Sequence, residues 1–198
     1  MNVSNGVKKI ALLASYEKDD HVLNLGKLLK ENGWDILGSA GTAKYLNENG
    51  IEARDVGEIV GPPILGHRVV TLSREIHAAL LASTSQDFEE LKRLGVQPIN
   101  LVYVTLYPLE QAVKNGKTPS EIIEKTDIGG PTLLRAAAKG RRLVLSNPSQ
   151  IDEVAPFLDN ESEAKERLVT KLVAAAERRV AEYVGASADY WERKTNEP

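Results

Sequence analysis

Four short stretches of this sequence carry side chains suited to handling a small anionic molecule: "ASYEK" at 14–18, "SAGTAK" at 39–44, "TLYP" at 105–108 and "DIGGPTLLRAAAKG" at 127–140. In the last, Pro131 suits the first helical position, where its missing N–H is not needed, and Gly140 suits a left-handed C-terminal stop. That punctuation leaves Asp127, Gly129 and Gly130 unused. Two glycines without side chains would leave the first N–H groups of the helix open to an anionic or strongly polarised oxygen. In "SAGTAK" the hydroxyls of Ser39 and Thr42, with Gly41 between them, can cradle a phosphate at a helix start or simply cap the helix. The stretch is neither a Walker loop nor G-x-G-x-x-G. Lys18 can supply a counter-charge to the same phosphate or lie solvated. Tyr107 can orient a substrate or relay a proton; as a core tyrosine it needs only one buried partner. His21, His67 and His77 show no metal-ligand spacing, and no Ser/His/Asp set stands out.

Composition narrows the classes of function. A chain of 198 residues builds one sizeable core and not two comfortable domains. Its hydrophobic fraction of 42% and charged fraction of 27% are those of a soluble globular protein. The absence of cysteine excludes disulfides, thiolate metal sites and cysteine nucleophiles together. A net charge of −3, with both signs interspersed, gives no broad basic face for nucleic acid or a membrane surface. The densest basic cluster, "KGRR" at 139–142, reads as a complement to a helix dipole. No apolar run approaches the roughly 20 residues that span a bilayer. The start, "MNVSNGVKKIALLAS", lacks the apolar length and cleavage site of a secretory signal. A cytoplasmic protein is expected.

The elements that must position the four stretches follow from hydrophobic periodicity. Residues 8–15 read as a buried strand, and 20–33 as a helix with Val22, Leu25, Leu28 and Leu29 on one face and Gly33 as its stop. A strand over 35–42 breaking at Gly41, a short helix "TAKYLNENG" and a third strand "ARDV" come next. Residues 57–75 read as irregular, "HAALLAS" and "DFEELKRLG" as helices, and 99–108 as the strongest strand. Two short helices, the helix after Asp127 and a strand at 142–147 complete the alternation. Alternating strands and helices predict an α/β fold: a mostly parallel sheet flanked by helices on both faces. Such sheets take ligands outside the carboxyl ends of their strands, which puts "ASYEK", "SAGT", "TLYP" and "SNPS" on one rim. Residues 161–194 read as one long helix or a broken pair. Leu168, Leu172, Ala175, Ala176, Val180 and Tyr183 form its apolar stripe, which either covers the sheet or meets a second subunit.

Taken together, "SAGTAKYLNENGI", "RVVTLSREIH", "INLVYVTLYPLEQAV" and "DIGGPTLLRAAAK" occur in an order and at spacings that resemble the inosine monophosphate cyclohydrolase domain. That domain is the amino-terminal half of the bifunctional purine-biosynthesis enzyme. The resemblance runs from about residue 8 to 195, and "DIGGP-x-LLRAAAK" is its most specific element. It implies a methylglyoxal-synthase-like fold in a single domain over 1–198, with a core at about 8–158 and a C-terminal helical segment at about 161–194. It also implies a homodimer, no cofactor, no metal and a small ribonucleotide substrate. The formyltransferase half is not expected within this sequence, so a separate formyltransferase partner is implied. The implied reaction closes the purine ring of a formylated imidazole carboxamide ribonucleotide with loss of water. By resemblance, Lys18, Ser39, Gly41 and Thr42 hold the ribose phosphate, and Arg68 and Thr71 form a substrate-binding strip. Asp127, Lys139 and Tyr107 are implied as catalytic, with Gly129 and Gly130 in the same surroundings. Asp127 would orient or deprotonate the attacking amide, and Lys139 or the helix N–H groups would stabilise the oxyanion. The 12 positions from Asp127 to Lys139 amount to about 18 Å of straight helix, shortened by any part that precedes the helix.

The sequence departs from the family pattern at several of these places. Val70 replaces a lysine, Ser73-Arg74 replace a His-Pro pair, and Tyr16 and Asp19 stand where hydroxyl residues occur. Thr105 replaces an asparagine before Leu-Tyr-Pro, and Gly140 an asparagine after the lysine. An aspartate at 19 would be expected to repel a phosphate, and Arg74 could compensate for the charge missing at Val70. The alternative reading is therefore a catalytically impaired relative that binds a nucleotide or sugar phosphate in a regulatory or partner-binding role.

Overall fold

A computed structural model describes residues 8–66 and 68–195. His67 and residues 1–7, the first part of the start weighed above as a signal, lie outside them. Five strands form one all-parallel sheet: β1 (Ile10–Ser15), β2 (Asp35–Gly38), β3 (Arg54–Asp55), β4 (Leu101–Thr105) and β5 (Leu143–Leu145), in the order β3-β2-β1-β4-β5. Leu12, Leu13, Val102, Tyr103 and Val104 are buried, as required of inner strands covered on both faces. The strand order reverses between β1 and β4. This is the switch point where the connections leave on opposite sides and open a crevice at the carboxyl ends. In register, Ser15 ends β1 opposite Thr105 at the end of β4.

The helices are α1 (Asp20–Glu31), α2 (Ala40–Glu48), α3 (Gly57–Val60), α4 (Arg74–Leu81), α5 (Ser85–Arg93), α6 (Leu109–Lys114), α7 (Pro119–Lys125), α8 (Gly129–Lys139), α9 (Ile151–Val154) and α10 (Glu163–Thr195). Gly33 does stop the first helix, in the left-handed conformation at φ 75°. The second strand ends earlier than the periodicity predicts. The carbonyl of Ser39 accepts from Thr42 N at 2.7 Å and Ala43 N at 2.8 Å, so "SAGT" is already the first turn of α2. Residues 57–75, read as irregular, contain the one-turn α3 and the start of α4. The C-terminal segment is a single helix of 33 residues. Its buried Leu168, Val169, Leu172, Ala176, Val180 and Tyr183 pack on α8, β5 and α6, so the stripe covers the core of its own chain. No helix among the described residues is long and apolar enough to cross a membrane.

Helix α8 corrects both ends of the punctuation argument. It starts at Gly129, which puts Pro131 at the third helical position instead of the first. Gly140 has φ −76°, and the left-handed residue is Arg141 at φ 52°. Gly140 is needed for a different reason: a Cβ there would lie 1.9 Å from the carbonyl oxygen of Leu80 at the end of α4. The Arg142 side chain donates to that same oxygen at 2.8 Å, locking the two helix ends together. Gly140→Ala must separate them, and is expected to destabilise the fold by about 1–3 kcal/mol. A lowered melting temperature checks this; an unchanged one would contradict it.

Candidate functional site

The carboxyl ends of β1 and β2 meet the start of α2. Thr42, fully buried, lies at the centre: its hydroxyl accepts from Ser15 N at 3.1 Å and is 2.9 Å from Ser39 Oγ. This fixes the first turn of α2 against the tail of β1 and leaves the N–H groups of Ala40 and Gly41 at the exposed helix start. Lys18 lies over that turn, its Cε 3.5 Å from where a Gly41 Cβ would be. Its ammonium donates to the carbonyls of Ser15 and Tyr16. Desolvation lowers the Lys18 pKa, and the nearby Asp19 charge partly opposes that. Four sequence-predicted residues, Lys18, Ser39, Gly41 and Thr42, thus come together in one corner with helix N–H groups, a cation and hydroxyls. Asp19 does not face into it as a bare charge. Its carboxylate caps α1, accepting from His21 N at 3.1 Å and Val22 N at 3.3 Å.

Across the switch point, Thr105 ties this corner to β4. Its hydroxyl is 2.8 Å from Ser15 Oγ and accepts from Tyr16 N at 2.8 Å. The main chains then run close enough for the Tyr16 and Tyr107 rings to pack at 4.8 Å between centroids, tilted by 53°. Tyr107 is half-buried, and desolvation, with smaller contributions from Asp127 and Tyr16, raises its phenol pKa.

Asp127 stands on the far side of Tyr107. Its carboxylate accepts from Gly130 N at 3.0 Å, and the N–H groups of Tyr107 and Gly129 also face it. Burial outweighs these donors and leaves the Asp127 pKa raised. The bare N–H expected at Gly130 is therefore not open: Asp127 itself is the oxygen that the helix start receives. The second glycine has a steric cause, because a Cβ on Gly130 would sit 2.5 Å from Asp127 Oδ2 and 2.6 Å from Leu106 Cδ2. At Gly129 a Cβ would lie 2.9 Å from Thr71 Oγ1, which brings the buried Thr71 beside the same turn. Arg68, exposed, pairs with Glu124 at 2.6 Å and so lays the 68–71 strip along the end of α7.

Lys139 does not join this group within the chain. It is exposed at the opposite end of α8, ten residues or about 15 Å along the axis from Gly129. Val70 is half-buried against the core, and Ser73 caps α4 by accepting from Ile76 N at 3.1 Å. Arg74, expected as a compensating charge, is the first residue of α4 and exposed. Asn147, on the fourth rim segment, uses its side chain to cap the short turn after β5. A cavity of about 390 Å³ reaches Asp127 from the other side, between α8 and α10, lined by Ile128, Pro131, Val180 and Tyr183. Its lining includes none of Lys18, Ser39, Gly41 and Thr42. No cluster of metal-ligating side chains occurs among the described residues.

Sequence patterning missed Tyr183, reading it only as part of the apolar stripe on α10. Its hydroxyl accepts from Asp127 N at 2.8 Å and donates to the Lys125 carbonyl at 3.0 Å, so the long helix holds the backbone of the carboxylate turn.

A family model described as MGS-like domain matches residues 21–132. The chain belongs to this family. It is 43% identical over 149 residues to the bifunctional purine biosynthesis protein PurH of Aquifex aeolicus, covering 73% of this chain and 29% of the relative. The PurH of Persephonella marina is 38% identical over 176 residues, covering 86% of this chain and 34% of the relative. That of Bacillus mycoides is 35% identical over 197 residues, covering 96% and 38%. The chain thus spans about a third of the length of the curated relatives it matches. Among solved structures, the crystal structure of ForH superposes with a TM-score of 0.77 at 29% identity, covering 94% of this chain and 100% of that one.

Tyr183→Phe removes the acceptor for Asp127 N while keeping the ring. It is expected to cost about 1–3 kcal/mol, read as a lower denaturation midpoint. Equal stability of the two proteins would show that the hydroxyl does not hold the turn.

Proposed function

We propose that this protein closes the purine ring of a formylated imidazole carboxamide ribonucleotide, giving inosine monophosphate and water in purine biosynthesis. The observation that carries the proposal is Asp127: a carboxylate of raised pKa, fixed at a helix start beside Tyr107 and on the same rim as a phosphate corner. Similarity to proteins named for purine biosynthesis supplies the substrate class.

The reaction matches what these groups can do. The carboxamide nitrogen attacks the formyl carbon, an N–C bond forms, and the carbonyl π pair moves to oxygen. One amide proton passes to that oxygen, for which Asp127 is the relay, accepting it while ionised. The C–O bond then breaks, the hydroxyl leaves as water with the proton of the formamido nitrogen, and a C=N bond remains. Both reacting groups already belong to one molecule. Holding the phosphate at Lys18, Ser39, Gly41 and Thr42 and the ring near Tyr107 converts binding into a near-attack pose. Arg68 and Thr71 border the ring end, and the Gly129 turn closes it. No metal or cofactor enters these steps. In this reading the protein is cytoplasmic, works as a homodimer and receives its formylated substrate from a separate formyltransferase. A non-catalytic nucleotide-binding role is favoured by one pair of observations, the apolar Val70 and the remote Lys139, and predicts binding without turnover.

Purified protein given the formylated ribonucleotide is expected to show the ultraviolet change of ring closure. Asp127→Asn is expected to lower kcat by about 10²–10⁴-fold. Product nucleotide binding without turnover would favour the non-catalytic role instead.

The pH profile gives a second check. Because Asp127 must be ionised and its pKa is raised, kcat should fall on the acid side with an inflection above the ordinary aspartate value of about 3.9. The folded chain holds this proton more tightly than the unfolded one. Stability from this group is therefore lost as pH rises from about 4, and Asp127→Asn should remove that dependence. An acid limb at or below the ordinary value would contradict the assignment.

A further inference from the structure

Ring closure, as proposed above, needs a donor for the oxygen that gains negative charge, and the residues assigned so far leave that place open. The Gly130 N–H is already bonded to Asp127 at 3.0 Å. Arg68 is paired with Glu124 at 2.6 Å, Val70 is apolar, and Lys18 belongs to the phosphate corner. A further cation lies beside Tyr107. The Lys125 ammonium, at the end of α7, lies 5.6 Å from the centroid of the Tyr16 ring and 5.8 Å from that of Tyr107. These two rings are themselves in contact across the switch point, so the charge sits over their seam. Among the described residues no carboxylate forms an ion pair with it. Its backbone is placed by the same turn: Tyr183 holds the Lys125 carbonyl at 3.0 Å, the neighbouring Glu124 pairs with Arg68 of the 68–71 strip, and Asp127 follows two residues later.

We propose that Lys125, held on the faces of Tyr16 and Tyr107, is a catalytic residue that donates to the formyl oxygen as it becomes an oxyanion. An ammonium that no carboxylate pairs with is open to an anionic ligand, and π-faces hold a cation without neutralising it. Tyr16 then has a task of its own. Its carbonyl accepts from Lys18 at 3.3 Å while its ring carries Lys125, so one residue spaces the phosphate-binding cation from the oxyanion-binding one. The inference rests on the ring-closure reading, and its test separates the two.

Steady-state ring closure by the full chain is compared with that by Lys125→Gln, Lys125→Arg and Lys125→Gln combined with Val70→Lys. Loss of one oxyanion donor predicts a fall in kcat of about 10²–10³-fold for Lys125→Gln with KM changed far less. Lys125→Arg should recover at least tenfold of that loss, since it restores a cation of similar reach. Val70→Lys, on the strip that runs past α7, should raise the rate of the Lys125→Gln protein but add little to the unaltered one. A Lys125→Gln protein with the melting temperature and kcat of the unaltered chain overturns the inference and leaves the ring-closure reading standing. A loss of kcat that tracks lost stability, with no recovery by arginine, also overturns it. Absence of turnover by the unaltered chain overturns both.

Discussion

A single threonine hydroxyl joins the two halves of this site. Thr105 Oγ1 receives the N–H of Tyr16 at 2.8 Å and contacts Ser15 Oγ at the same distance, at the point where the strand order turns back on itself. Parallel strands that diverge in their connections open a crevice there in any fold of this kind. What makes it a site is that the loop after β1 is not free to leave it. Held by Thr105, that loop delivers Lys18 to the start of α2 and the Tyr16 ring to Tyr107, while the loop after β4 delivers Tyr107 to Asp127. The corner proposed for the phosphate and the carboxylate turn thereby share one rim.

Asp127 shows how one residue can satisfy structure and chemistry together. Capping α8 would ordinarily hold a carboxylate at low pKa, because donors and the helix dipole favour the charge. Here burial is the larger effect, so the pKa of the group is raised despite its hydrogen bonds. The glycine at 130 follows from that placement. Any side chain there would collide with both the carboxylate and Leu106.

Much of the fold was legible because its signals are local. Buried apolar strands, the stop at Gly33 and the stripe from Leu168 to Tyr183 are all properties of neighbouring residues, and each is found close to where periodicity put it. The clustering of Ser39, Gly41 and Thr42, proposed above to hold a phosphate, was legible for the same reason, since they lie within one turn. What the sequence did not show depends on contacts between distant segments. Gly140 looked like a helix stop, yet it answers to the Leu80 carbonyl 60 positions away. Tyr183 looked like core, yet its hydroxyl carries the turn at Asp127. Asp19, Ser73 and Thr105 looked like damage to a site, and each caps or ties a backbone instead. Val70, half-buried against the core, offers neither a charge nor a hydrogen-bonding group from its side chain.

The account stands on one cleft with its phosphate end at α2 and its reacting end at Asp127. A crystal structure with inosine monophosphate bound tests this most directly. The phosphate should lie against Lys18 and the N–H groups of Ala40 and Gly41, with the purine over Tyr16 and Tyr107 and within hydrogen-bond reach of Asp127. A nucleotide lodged between α8 and α10, or a phosphate remote from Lys18, would contradict it.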